Sequence, residues 1–158
     1  MSRFSAFISG LGLALIAASI APVSFANLGE EDSETSTNAD FLEGKKAIEA
    51  QDWKKATAAL KKAVAAEPKN ADAHNFLGYA LRKDGDVDRA LDAYDQALKL
   101  NPRHKAAHEY MGEAYLMVGD VTKAEKHLEE LRKLCSPIPC EEYKDLNKAI
   151  AAYKKAKK

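Results

Sequence analysis

The chain has 158 residues, 24 of them basic and 24 acidic, and only 8% of it is aromatic. This length allows one ordinary domain with accessory segments, and the even charge balance removes the electrostatic case for a nucleic-acid partner. Alanine, leucine, lysine and glutamate are abundant and favour helices, which argues against a sheet-rich fold.

At the N-terminus, Arg3 is followed by an uncharged, largely apolar run over residues 4–21, which Pro22 breaks. Ser24-Phe25-Ala26 places small residues at the −3 and −1 positions of a cleavage site after Ala26. This is the pattern of a secretory signal peptide over residues 1–26. The competing reading is an uncleaved anchor, because about 20 apolar residues can cross a bilayer. The small-x-small site and the Ser9, Gly10 and Gly12 interruptions favour cleavage. The expectation is a periplasmic or secreted protein with no stable membrane insertion. Cleavage would remove a single charge, Arg3, leaving 23 basic against 24 acidic residues. Residues 27–36 carry Glu30, Glu31, Asp32 and Glu34 and read as a disordered acidic leader.

Seven helices are predicted from there on, at about 38–50, 54–66, 71–84, 87–100, 105–118, 121–134 and 141–156. The segments repeat with a period of 34. Gly44, Gly78 and Gly112 correspond, as do Asp52, Asp86 and Asp120, and Ala56, Ala90 and Ala124. Leu60, Tyr94 and Leu128 occupy one position, and His74 recurs as His108. Gly85 and Gly119 suit a left-handed helix end, whereas Gln51 stands at that position in the first unit. Asp86 and Asp120 then read as N-caps of the second helices, and Pro68 and Pro102 interrupt the run between units. The last helix has one apolar stripe, Tyr143, Leu146, Ile150 and Tyr153, suited to covering an exposed end.

Three units at this period and spacing resemble the tetratricopeptide repeat. The resemblance implies an all-α solenoid, a right-handed superhelix of helix-turn-helix units over 37–70, 71–104 and 105–136. Residues 137–158 would add a disulfide-linked turn and a capping helix. It also implies a concave face lined by the first helix of each unit. Carried over, that face comprises Asn38, Phe41, Lys45, Ile48 and Glu49 in the first unit. The second contributes Asp72, Asn75, Tyr79, Arg82 and Lys83, and the third Ala106, Glu109, Glu113, Leu116 and Met117. The partner-binding candidates are Lys45, Asn75, Tyr79, Arg82, Lys83, Glu109, Glu113 and Leu116. Relatives that clamp a chaperone's C-terminal carboxylate use a lysine and an asparagine where this chain has Phe41 and Lys45, so that clamp is not expected.

Cys135 and Cys140 flank Ser-Pro-Ile-Pro. In an exported chain a close pair points to a structural disulfide. The spacing is not that of a redox CxxC, and two cysteines are half a structural zinc set. His104 and His108, four apart, would suggest a metal pair, but the recurrence of His74 as His108 makes a repeat position the simpler reading. No nucleophile elbow, phosphate loop or His-Glu-x-x-His is present. The expectation is therefore no enzyme, no cofactor and no metal, but a scaffold that binds a protein or peptide in the cell envelope. The rivals are a self-assembling homo-oligomer, an accessory subunit or chaperone of an envelope complex, and a redox or metal role for the two cysteines with His127.

Overall fold

A computed structural model describes residues 38–157; the expected signal peptide and the whole of the acidic leader lie outside these residues. The described residues hold seven α-helices and no strand: α1 (Ala39–Glu49), α2 (Trp53–Ala66), α3 (Ala71–Lys83), α4 (Val87–Leu100), α5 (Lys105–Met117), α6 (Val121–Leu134) and α7 (Glu141–Ala156). Each boundary falls within about a residue of its predicted place, because the signals that set it are local.

Those signals recur three times. Leu81, Ala47 and Tyr115 carbonyls accept from the amides of Asp86, Asp52 and Asp120, closing the first helix of each pair with a six-to-one turn. The residue before each aspartate is left-handed: Gly85 at φ 91°, Gly119 at 84° and Gln51 at 57°. Gln51 thus adopts the glycine conformation despite its Cβ. Each aspartate then accepts from a backbone amide of the second helix, at 3.0 Å for Lys55, 3.2 Å for Arg89 and 3.0 Å for Lys123. The first helices are capped by Asn38, Asn70 and His104.

Within a pair, the glycine of the first helix is a close-approach site. A Cβ on Gly44 would stand 2.5 Å from Leu60, and one on Gly78 would stand 2.6 Å from Tyr94. The third unit departs from this rule. A Cβ on Gly112 would meet Leu146 of α7, again at 2.5 Å, while Leu128, the sequence equivalent of Leu60 and Tyr94, is only half-buried. The capping helix therefore supplies the residue that the repeat pattern assigns to α6.

The core forms two clusters. The first runs from Phe41 and Leu60 through Leu77, Leu81 and Tyr94 to Met111 and Ala114. The second joins Leu116, Ala124 and Leu131 to Leu146 and Ile150 of α7, with Tyr143 and Tyr153 packed on its flank. Tyr115 touches both clusters. Cys135 and Cys140 form a disulfide with their Cα atoms 5.4 Å apart, closing the turn between α6 and α7. The Ser136–Pro137 peptide within it is cis.

The first helices touch in succession, α1 with α3, α3 with α5 and α5 with α7, whereas α2, α4 and α6 do not touch one another. Closer packing among the first helices bends the stack toward them, so they line its inner face. No helix among the described residues is long and apolar enough to cross a membrane.

Candidate functional site

The inner face presents two adjoining stripes. On α3, Asn75, Tyr79 and Arg82 follow each other at four- and three-residue spacing; on α5, Glu109, Glu113 and Leu116 do the same. Arg82 joins the two. Its guanidinium is 9% exposed and pairs with Glu113 at 2.8 Å, while its Nε donates to the Tyr94 hydroxyl at 3.3 Å. It also lies 5.5 Å from the ring centroids of both Tyr79 and Tyr110. Taking a guanidinium out of water is costly unless its donors and charge are met; here a carboxylate, a hydroxyl and two ring faces meet them. Burial pushes the Tyr94 hydroxyl well above the ordinary tyrosine range and that of Tyr110 up to about 12, so both stay neutral and Tyr94 remains an acceptor.

An aromatic row flanks this pair. Trp53 packs edge-on against Tyr79 at 6.2 Å, and Tyr79 meets Tyr110 at 5.0 Å. Lys83 is exposed over Tyr79, and Lys45 is exposed near the rings of Phe41 and Phe76.

Two acceptors on the face are left unmet. Asn75 is 3% exposed, and its Oδ1 is buried without a hydrogen-bond partner. Glu109, at the equivalent position of the next unit, is half-buried and has no hydrogen bond or ion pair among the described residues. Burial first, and then the carboxylates of Glu113, Asp145 and Glu142, raise Glu109 to about 7; Arg82 opposes this weakly.

Of the residues selected from sequence, Tyr79, Arg82, Glu109 and Glu113 come together, with Lys45 and Lys83 toward the α1 side; Asn75, 3% exposed, is buried rather than open on the face. Leu116 does not line an open surface: α7 covers it, and it belongs to the second core cluster. Phe41 is likewise core, packed edge-on against Phe76. The reading of sequence missed Trp53, Tyr110 and the α7 carboxylates Glu142 and Asp145. Tyr110 follows Glu109 directly and sits at the repeat position of Phe76, which was its one available signal.

The histidines have other roles. His104 Nδ1 accepts from the Ala107 amide as the cap of α5, which leaves Nε2–H to donate to Asp72 at 3.0 Å. His108 Nε2 donates to the Pro102 carbonyl at 3.0 Å, as His74 Nε2 does to Pro68 at 3.1 Å. The recurrence of histidine thus has a local reason: the ring ties each first helix to the proline turn before it. His108 Nδ1 lies 3.0 Å from His127 Nδ1, and His127 stacks on Tyr115. Both nitrogens of His104 and of His108 are therefore engaged, and by different elements. His127 stands with this group; the acidic residue beside the two cysteines is Glu142, and the sulfurs are bonded to each other. An open depression bordered by Asp84, Gly85, Asp86, Val87, Asp88 and Val118 shares no residue with the inner stripes. Its Asp86 is held by Arg89 and caps α4.

The tetratricopeptide repeat pattern matches residues 41–96 and, overlapping, 77–137, together more than half of the chain. The chain belongs to the tetratricopeptide repeat family. No curated protein sequence matches it. Among solved structures it resembles the TPR2B domain of yeast Sti1 in complex with pHsp70, with a TM-score of 0.69 and 19% identity over 74% of this chain and 94% of that one. The Yersinia enterocolitica type III secretion translocator chaperone SycD follows, with a TM-score of 0.68 and 16% identity over 75% and 83%. MamA from Desulfovibrio magneticus RS-1 has a TM-score of 0.59 and 25% identity over 60% of this chain, which spans about half of MamA (54%). At these identities the first two likenesses establish the shared fold.

Proposed function

We propose that this chain is an exported, non-catalytic scaffold that holds a protein or peptide segment against the inner face of its repeats. The observation that carries the reading is the surface the first helices share, with the Tyr79 and Tyr110 rings 5.0 Å apart, Lys45 and Lys83 exposed, and the half-buried Glu109 carboxylate without a hydrogen bond or ion pair among the described residues. Tyr79 and Tyr110 offer rigid apolar contact, and Lys45 and Lys83 offer exposed cations. Support from known proteins is at the level of the fold: Sti1 TPR2B was solved with pHsp70, and the first repeat domain of Spaghetti (RPAP3) with an HSP90 peptide. Export rests on the pattern of residues 1–26 and agrees with an oxidised cysteine pair.

A photoreactive residue placed in turn at Lys83, Met117, Lys61 and Lys99 in intact cells tests the site. The expected result is one partner captured from Lys83 and Met117, the first-helix positions, and not from Lys61 or Lys99 on the second helices. Equal capture from all four sinks the inner-face assignment, and capture of the protein by itself alone favours self-assembly. The mass of the protein recovered from its compartment tests export: a chain beginning at Asn27 is expected, and an intact Met1 would refute cleavage.

A further inference from the structure

We propose that His108 and His127 form a binding site for a borderline divalent transition-metal ion, of the copper, nickel or zinc class, between α5 and α6. The site is independent of whether a segment binds the inner face.

The contact between the two rings is nitrogen to nitrogen. His108 Nδ1 and His127 Nδ1 stand 3.0 Å apart. A neutral imidazole has one N–H, and its other nitrogen holds a lone pair. The far side of His108 fixes which is which. Its Nε2 lies 3.0 Å from the Pro102 carbonyl, which only accepts, so Nε2 carries the hydrogen and Nδ1 is the lone pair. A histidine that ligates a metal shows this arrangement, with one nitrogen for the ion and the other N–H held by a backbone carbonyl. The spacing fits as well. Two metal–nitrogen bonds of about 2.1 Å, meeting at about 90–110°, separate their nitrogens by about 3.0–3.4 Å.

The second observation is where His127 stands in the repeat. The equivalent residues of the first two units are Ala59 and Ala93, both buried in the core. His74 makes the same tie to its proline turn, at 3.1 Å from the Pro68 carbonyl, but opposite it the second unit has Ala93. The third unit alone places an imidazole there. Burying a polar ring costs free energy unless its nitrogens are met. Its Nδ1 is met by another imidazole rather than by a carbonyl or a carboxylate. Without an ion the two rings share one hydrogen, donated by His127 Nδ1 to His108. With an ion that hydrogen moves through water to His127 Nε2, and both Nδ1 atoms give their lone pairs to the metal. The neutral pair keeps both of its hydrogens in the exchange.

The donor set selects the ion. Imidazole nitrogen suits copper, nickel and zinc, whereas calcium and magnesium require oxygen ligands. Among the described residues no cysteine or carboxylate completes a three-residue group with the pair. His127 is partly exposed, and water takes the remaining positions. Two protein ligands make an exchangeable site, and an ion held there ties α5 to α6 in the third unit.

The test is calorimetric titration of the purified chain, its disulfide intact, with nickel, copper and zinc salts and separately with magnesium and calcium. One ion per chain is expected, with copper bound more tightly than nickel or zinc and no binding of magnesium or calcium. His127→Ala restores the residue of the other two units, so the fold should survive. Affinity should fall at least about tenfold in it, since even the outer partners of a metal ligand are worth that much. His74→Gln, at the equivalent position of the second unit, should leave binding unchanged. Nitrogen NMR of the parent supplies a readout that needs no variant. The His127 hydrogen should sit on Nδ1 without metal and on Nε2 at saturating zinc. An absence of binding at millimolar nickel would overturn the site, and so would affinity retained in His127→Ala. A His127 tautomer unmoved by saturating zinc would show that the ion binds elsewhere and that the two rings share a structural hydrogen bond only.

Discussion

Gly78 faces Tyr94 across α3 and α4, and Gly112 faces Leu146 across α5 and α7. Four residues further along the same helices stand Arg82 and Leu116, again at equivalent repeat positions. In the middle of the stack the equivalent sites build a polar junction, with Arg82 bonded to Tyr94 and Glu113. At the end of the stack they build an apolar one, with Leu116, Leu146 and Ile150 in one cluster. The unit followed by another unit keeps hydrogen-bonding groups at these positions. A repeat that must be closed off replaces them with leucine and accepts a cap. The difference comes from the occupant of the next position in the stack, another unit in one case and α7 in the other.

The largest effects should separate the two junctions. Tyr94→Ala removes a fully buried ring and strands Arg82, and should cost about 4 kcal/mol; Leu146→Ala should cost about 3 kcal/mol. In a solenoid each unit leans on its neighbours alone, so the losses should be local. Hydrogen exchange should show Leu146→Ala loosening α7 and the end of α5 while α1 and α2 keep their protection. If both variants deprotect the whole chain equally, the two clusters are one cooperative unit and the contrast drawn between them fails.

The disulfide sharpens the same contrast, because it belongs to the end junction alone. A loop of this length contributes about 2 kcal/mol through the entropy of the unfolded chain. Cys140→Ser, or reduction of the parent, should lower the melting temperature and expose α7 to protease before the α1–α4 segment. An unchanged α7 would show that Leu146 and Ile150 hold the cap unaided.

Two groups with opposite pH responses flank α5. Glu109, on the inner face, is raised from its ordinary 4.5 to about 7, by burial and then by Glu113. The folded chain therefore binds more protons than the unfolded one between these values, and stability falls as pH rises through that window. His127 is lowered from 6.5 to about 4, first by burial and then by the charge of His108. Its contribution is complete above about 6.5 and is lost as pH falls toward 4. Melting temperature against pH should therefore rise above neutrality in Glu109→Gln relative to the parent, and hold up better toward pH 4 in His127→Gln. A curve for Glu109→Gln parallel to that of the parent would mean that Glu109 has a cation the described residues lack.

What was legible in the sequence was what depends on near neighbours. Gly85-Asp86 and Gly119-Asp120 encode a turn within five residues, so helix ends could be read directly. The resemblance to the tetratricopeptide repeat likewise assigned Asn75, Tyr79, Arg82, Glu109 and Glu113 to one face. Pairings between units were not legible, because they depend on how far one unit rotates on the next. Hence Arg82 meets Glu113 rather than Glu109, Leu116 lies beneath α7, and Leu146 takes the place that periodicity gives to Leu128. The burial of Asn75 was hidden for the same reason: a polar residue on a face expected to be wet gives no sign that its oxygen is covered.

The smallest expected effect concerns the first unit, whose departure from the pattern was visible in Gln51. The turn there has the same six-to-one bond, from Asp52 to the Ala47 carbonyl, as the glycine turns of the later units. Gln51 holds φ at 57°, where a Cβ crowds the backbone and glycine does not. Gln51→Gly should relieve that crowding, while the more flexible unfolded chain takes back part of the gain. The net stabilisation should be about 0.5 kcal/mol, read as a small rise in melting temperature with α1 and α2 better protected from exchange. The reverse change, Gly85→Gln, should destabilise the middle unit by about 1 kcal/mol, since nothing within 4 Å of that position compensates the strain. If the two changes have the same sign, the turn is set by packing around it rather than by the conformational preference of its residue, and the first unit is not the weaker copy that Gln51 makes it.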